Sequence, residues 1–452
     1  MYHAKTLNEK IRLFVMILWP ILITQISLNA MNVIDTMMSG RAGTDDLAGV
    51  AIGSSLWMPI LTGINGILLA VTPIVAQLIG KGMSGKVAES VTQALYLSVL
   101  LAITVFVAGA FFLDPILTAM SLDPEVQYVA KHYLIGISIG LIPLFAANVL
   151  RYFFDAQGYT RITMIIMLFA VPFNFVLNYL LIFGSFGFPK LGGIGAGYAT
   201  ALTYWLIFFI SVFMTFKVGE MSKHRLFLQW YKPDLTAWKE QLAIGVPMGL
   251  SIFFEASIFS GVTLLMGTMF NTVTIAAHQA AISFTSLLFM LPLSISMALT
   301  ILVAFEVGAG RFHDAKQYSK IGVLGAIGIL GCCSVGLFFF REQIAYLYTD
   351  NPQVVELTMA FFLFAILYQL SDAAQASLQG VLRGYKDVKV PFIVALVSYW
   401  AIGIPSGYAL ATLTALGPYG FWLGITIGLT CASIGFYIRL VSIERKQLTP
   451  AY

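Results

Sequence analysis

The chain has 452 residues, 59% of them hydrophobic and only 10% charged, with a formal net charge of +4. A soluble domain carries roughly a quarter of its residues as Asp, Glu, Lys or Arg, so this composition excludes a water-soluble globular protein. Cys332, Cys333 and Cys431 all fall in apolar segments, which excludes a disulfide framework.

Twelve apolar segments follow one another, at about 13–40, 50–79, 92–113, 126–150, 162–184, 194–216, 241–267, 277–307, 319–340, 354–380, 390–412 and 419–439. Each is long enough to span a bilayer as a helix, and several exceed the roughly 20 residues that a straight span needs. No A-x-A cleavage site follows the first segment, which is therefore expected to be a retained helix. Pro20 and Pro247 fall near the starts of segments 1 and 7, and Gly-rich turns occupy 80–85 and 192–197.

Segment 1 carries a one-sided polar stripe of Gln25, Asn29, Asn32, Asp35 or Thr36, and Ser39. Segment 5 holds Asn174 and Asn178, two amides one helical turn apart. The longest connection, 217–240, is rich in Lys, His and Trp and reads as a linker between domains. Segment 7 has Glu255 one turn after Ser251, and His278 at the start of segment 8 is expected at the membrane interface. Asp155 and Glu306 lie near helix ends, where they are expected to reach water. Segment 10 sets Tyr368, Asp372, Gln375 and Gln379 on one face of an otherwise apolar helix.

Placing both termini in the cytoplasm puts all but four of the 25 Lys and Arg residues on the inner side, the exceptions being Arg41, Lys131, Lys190 and Arg341. Basic loops, Arg383 among them, then read as orientation signals, and no nucleic-acid partner is expected.

The chain also repeats. Ala70, Thr72, Val75, Ala76, Gly80 and Gly82 recur 228 residues on as Ala298, Thr300, Val303, Ala304, Gly308 and Gly310. Ser121-Leu-Asp-Pro124 is echoed by Thr349-Asp-Asn-Pro352, and Gly192-Gly-Ile-Gly195 by Gly417-Pro-Tyr-Gly420. An even number of spans per half keeps the two halves parallel. The expected fold is thus an all-α polytopic membrane protein, twelve transmembrane helices in two pseudo-symmetric six-helix lobes. Residues 1–220 would form the N-lobe, 221–240 a cytoplasmic linker and 241–452 the C-lobe.

Asp35, Glu255 and Asp372 are intramembrane acids, each costing about 2.5–3.5 kcal/mol on insertion scales. With Lys and Arg assigned to loops, such acids either hold a proton or bind a cation, so the chain is expected to handle positive charge. Enzyme chemistry finds no metal-spaced His/Cys cluster, no nucleophile elbow and no phosphate loop.

Taken in order, Pro20 and Gln25, Val33-Ile-Asp35-Thr-Met-Met-Ser-Gly40, Gly80-Lys-Gly82, Gln157-Gly158, Asn174-x3-Asn178 and Gly195-x-Gly-x-Ala-Thr200 resemble the multidrug and toxic compound extrusion (MATE) family. The likeness continues through Pro247 with Glu255, Ala276-Ala-His-Gln279 and Gln379-Gly-Val-Leu-Arg-Gly384, and is nearest to the NorM-like branch. The resemblance implies export of small cationic or aromatic drugs in exchange for Na⁺ or H⁺, with no cofactor beyond that coupling ion. It implies a C-lobe cation site at Glu255 and Asp372, where Na⁺ can bind. It also implies an N-lobe site at Asp35 with Asn174, Asn178 and Thr200, although some relatives have Asp where this chain has Asn178. Tyr368 and Gln375 join the C-lobe residues through the stripe on segment 10. A monomer in the plasma (inner) membrane is expected. The alternative is a lipid-linked precursor flippase of the same superfamily, which the acidic rather than basic interior disfavours.

Overall fold

The computed structural model describes residues 1–449, and every regular element among them is helical. The N-terminal half runs through α1 (Leu7–Ala42), α2 (Thr44–Leu68), α3 (Val71–Gly80), α4 (Val87–Ala119), α5 (Pro124–Ser138), α6 (Leu141–Ala156), α7 (Thr160–Phe183) and α8 (Gly193–Lys217). A short α9 (Gly219–Ser222) opens the long connection. The second half holds α10 (Leu235–Met269), α11 (Thr272–Gly308), α12 (Phe312–Tyr348) and α13 (Pro352–Gly384). It closes with α14 (Lys389–Leu396), a π-helical segment over Val397–Gly403, α15 (Ile404–Leu413) and α16 (Pro418–Leu448).

Among the described residues eleven helical spans are long and apolar enough to cross a membrane, and α5 and α6, which meet at 53°, make up to a twelfth if counted as one bent span. The fold is therefore all-helical with up to twelve spans, as the hydropathy predicts. Sequence periodicity does not reveal the bend between α5 and α6, because its cause is tertiary. A Cβ at Gly140 would lie 2.8 Å from the Cα of Ala201, so the glycine at the break lets α8 press against the backbone there.

The sequence repeat has a backbone counterpart. Gly82 and Gly310 end the repeated motif at φ +74° and +77°, and Gly192 and Gly417 precede α8 and α16 at +62° and +58°. Only glycine adopts these left-handed values without strain, which explains why these residues recur where their neighbours do not. Pro124 and Pro352 likewise occupy the first turns of α5 and α13, where a missing N–H costs nothing.

The chain divides into two compact units. The first comprises Met1 and Trp19–Gly249, the second Tyr2–Leu18 and Leu250–Tyr452. In the first unit α8 packs against α5, α6 and α7. The long connection is strapped to α4. Gln93 donates through Nε2 to the Lys232 carbonyl at 2.9 Å and accepts from Asp234 N–H and Trp238 Nε1–H, both at 3.0 Å. Tyr96 donates to the Tyr231 carbonyl at 2.8 Å. The boundary between units accordingly falls inside α10 rather than in the loop.

In the second unit α13 is central, packing against α11, α12 and α16. The start of α1 belongs here through Lys10, which is only 1% exposed. Its ammonium lies 2.6 Å from Asp314 Oδ1 and is also bonded to Gln317, while His3 Nε2–H reaches Asp314 Oδ2 at 3.0 Å. Burying an ammonium is costly, and these partners offset the lost hydration.

Candidate functional site

In the second unit α10 and α13 bring Glu255 and Asp372 to one amide. Gln375 lies three residues after Asp372, so its side chain shares the same helix face. Its Nε2 donates to Asp372 Oδ1 at 2.8 Å and to Glu255 Oε1 at 2.6 Å. Its Oε1 accepts from the Tyr399 hydroxyl at 2.9 Å. Asp372 is 5% exposed and Gln375 fully buried, whereas Glu255 is half-buried. Tyr368, one turn before Asp372, packs its ring against Phe259 and Trp422, with centroids at 6.1 and 5.7 Å. It walls the carboxylates with aromatic surface.

The first unit assembles a second constellation around Asp35. Asn174 and Asn178 on α7 donate to Oδ1 at 3.1 and 2.6 Å, and Thr200 on α8 donates to Oδ2 at 2.6 Å. Thr203 supports it from behind, donating to Asn174 Oδ1 at 3.2 Å. Asp35 is 5% exposed, and three donors to one carboxylate offset much of its burial. The carbonyl Oδ1 of Asn178 and the hydroxyl of Ser39, one turn beyond Asp35, are buried without a partner. These are spare oxygens beside a carboxylate, the donor set a monovalent cation takes.

Why α8 reaches Asp35 is written in the Gly195-x-Gly197 pair. A Cβ at Gly195 would lie 2.5 Å from the Leu181 carbonyl, and one at Gly197 2.4 Å from that of Tyr133. Any larger residue would push α8 off α7 and α5 and withdraw Thr200.

Three residues stand differently from their sequence reading. His278 is not interfacial but 0% exposed, edge-on to Phe361 and Trp422, with Nε2 2.9 Å from the Thr263 hydroxyl. Glu306 does not reach water: it is 0% exposed and takes Arg311 Nε–H at 2.5 Å, a partner five residues on that folds back over the helix end. Arg383 is not a loop base but is 6% exposed, within electrostatic reach of Glu255. Asp155 is half-buried and accepts from Thr163 at 3.0 Å.

Sequence reasoning missed Tyr399, one of several scattered hydroxyls in the apolar run of 390–412, and Thr203. The second was findable as the residue one turn's reach from Thr200 on the face toward α7. His3, Glu306 and Asp314 also lie close enough to share a metal ion. Lys10 and Arg311 already neutralise those acids, so the grouping is an ion-pair cluster rather than a metal cage. A cavity in the first unit, lined by Leu28, Asn148, Arg151, Thr163, Met167 and Tyr204, has an arginine and no carboxylate in its wall.

The arrangement is thus two buried carboxylate constellations, one in each unit. Glu255, Asp372 and Asp35 accept hydrogen bonds from amides and a hydroxyl, so the hydrogen bonds that hold these carboxylates come from neutral groups.

Comparison with known proteins extends this reading. The MatE family model matches residues 20–180 and 247–409, one stretch in each half. The protein named "Probable multidrug resistance protein NorM" from Oceanobacillus iheyensis is 54% identical over 99% of this chain and 100% of its own length. Its namesake from Bacillus subtilis is 51% identical over 99% of this chain and 98% of its own. Among solved structures, the eukaryotic MATE transporter AtDTX14 superposes with a TM-score of 0.86 at 22% identity, over 97% of this chain and 98% of that one. A Vibrio cholerae MATE transporter in the bent form gives 0.85 at 18% identity, over 97% and 98%. At these identities the structural likeness speaks for the fold alone.

Proposed function

This chain belongs to the MatE family, and from that premise we propose that it is a multidrug efflux antiporter, exporting small cationic and aromatic compounds in exchange for Na⁺ or H⁺. It is a multi-pass membrane protein and acts as a transporter, not an enzyme. The bacterial origin of its relatives supports the plasma (inner) membrane as its place, and the Lys/Arg bias supports cytoplasmic termini.

The observation that carries the mechanism is the single Gln375 amide shared by Glu255 and Asp372. Two carboxylates that close repel each other, and a proton or a cation between them relieves the repulsion. A cationic drug facing the same negative charge competes for it. By linkage, ion and drug then weaken each other's binding by the same factor. Loading the acids with ion from one side releases drug, and drug arriving from the other side displaces ion. Tyr368, buried against Phe259 and Trp422, backs the Asp372 carboxylate with apolar ring surface. Asp35, with Asn174, Asn178 and Thr200, provides a second ion-binding group on the same logic.

The test is Asp372→Asn and Glu255→Gln in a drug-sensitive bacterial host, following ethidium efflux, with Asp114→Asn as a control on an exposed ion pair. Loss of resistance and of ion-driven efflux in the first two, with the control active, is expected. Full efflux from both acid variants would overturn the assignment.

A further inference from the structure

The Gln375 amide has a definite sense. Both hydrogens on Nε2 are used, one by Glu255 Oε1 and one by Asp372 Oδ1, at 2.6 and 2.8 Å. The oxygen points the other way and accepts from the Tyr399 hydroxyl at 2.9 Å. Tyr399 is 0% exposed and sits on the π-helical segment Val397–Gly403, within the span that runs from α14 to α15. Single π turns inside α-helices are frequent at functional sites.

A half-turn about the last bond of Gln375 exchanges its oxygen and nitrogen at no cost in shape. The two senses suit different occupants. With the NH₂ inward, the carboxylates are held by donors, and a proton can join one of them without disturbing either bond. A metal cation meets the amide hydrogens and is repelled. With the oxygen inward, a neutral carbonyl joins two carboxylates, and Na⁺ gains one of the oxygens that must replace its water shell. Tyr399 weights this choice. Its oxygen could accept from a turned NH₂, but its own hydrogen would then lose its acceptor in a place closed to water.

We propose that Gln375 and Tyr399 form a rotatable amide switch that sets the preference of the Glu255–Asp372 pair between H⁺ and Na⁺, with Tyr399 the positioning residue that holds the proton-preferring sense. The switch rests on the reading of Glu255 and Asp372 as the coupling acids. It assigns ion selectivity to a hydroxyl that touches neither ion. Removing that hydroxyl frees the amide to turn and favours Na⁺.

The test uses the full-length protein in proteoliposomes. Ethidium efflux is driven by a Na⁺ gradient at fixed pH and, separately, by a pH gradient without Na⁺. Tyr399→Phe is expected to raise the ratio of Na⁺-driven to H⁺-driven rate by roughly three- to tenfold, the factor of one lost neutral hydrogen bond. A wild type driven by protons alone should acquire a Na⁺ response in this variant. An unchanged or lowered ratio, or no Na⁺ response in either protein, overturns the switch. In a Gln375→Met background the same Tyr399→Phe change should leave the ratio where it is, and a persisting rise also overturns it. Should Tyr399→Phe not fold, Gln375→Met alone carries the test: loss of the inward amide hydrogens must raise the ratio relative to wild type, and an unchanged or lowered ratio overturns the switch. Glu255→Gln and Asp372→Asn separate the two levels. If these retain both drives, the coupling assignment itself fails; if they abolish them while Tyr399→Phe leaves the ratio unmoved, the switch alone fails.

Discussion

Asn178→Asp converts a donor to an acceptor at one of the two shortest contacts to Asp35. The Asn178 nitrogen lies 2.6 Å from Asp35 Oδ1 and donates to it. A hydrogen bond to a charged group contributes about 1.5–3 kcal/mol, and the substitution removes it. Two carboxylates at that separation would repel by about 6 kcal/mol at an effective dielectric constant of about 20. Relaxation to about 4 Å still leaves about 4 kcal/mol. The pair therefore needs a positive charge between its oxygens. Melting of the purified protein, in NaCl against choline chloride at matched ionic strength, reads this directly. In choline chloride the variant should melt at least ~8 °C below wild type, taking about 2 °C per kcal/mol for a unit of about 200 residues. Na⁺ should restore most of the difference, because an ion that binds only the folded state stabilises it by mass action. Lowering the pH should act in the same direction, since one shared proton removes one charge. Wild type should respond less to both. Equal melting of variant and wild type in choline chloride, or equal effects of the two salts on the variant, would refute the geometry assigned to Asp35.

Other consequences are open to similar measurement. Lys10→Met strands Asp314, which is about one-fifth exposed and keeps His3 and a longer approach from Arg311 at 3.9 Å. The loss should be about 2–3 kcal/mol, below the 3–5 of a fully buried broken pair, and Lys10→Met with Asp314→Asn should cost less than the two singles summed in thermal melts. Gly197→Leu drives a side chain into the Tyr133 carbonyl, so folded yield and melting temperature should fall by the equivalent of about 1–3 kcal/mol or more, with normal stability contradicting the packing described. His224 is half-buried and donates to Gln157 Oε1 at 2.7 Å; burial, against weaker help from Ser84 and Glu220, holds its pKa below the usual histidine value. The unfolded chain then binds the proton more readily, so this contribution is present above the ordinary histidine pKa and lost as the pH falls below it. His224→Gln should flatten that part of the melting profile, and an unchanged acid limb would exclude the role.

Much of this was legible in the sequence, for reasons that differ from residue to residue. Asp372, Gln375 and Tyr368 share a helix face because 3.6 residues make a turn, and periodicity alone predicts it. The meeting of Asp35 with Asn174, Asn178 and Thr200 joins three helices, and no spacing within one helix predicts that; the family resemblance supplied it. Tyr399 escaped notice because a hydroxyl in an apolar run carries no period, and a π turn is set by neighbouring helices as much as by its own residues. Glu306 and Arg383 read as water-facing because charges near helix ends and in loops usually are, and nothing in the sequence singles out Lys10. Each is instead buried, Lys10 and Glu306 against charged partners brought by other parts of the chain or by a helix end folding back. Loop charges report orientation well and burial poorly.

The most direct measurement is equilibrium binding of ethidium to the purified protein at a series of Na⁺ concentrations and pH values, in wild type and in Glu255→Gln/Asp372→Asn. If these acids exchange ion for drug, Na⁺ or acid must weaken ethidium binding in wild type, ethidium must weaken ion binding by the same factor, and the double variant must lose both effects. Ethidium affinity that ignores both ions, or an ion dependence that survives in the double variant, would contradict the account.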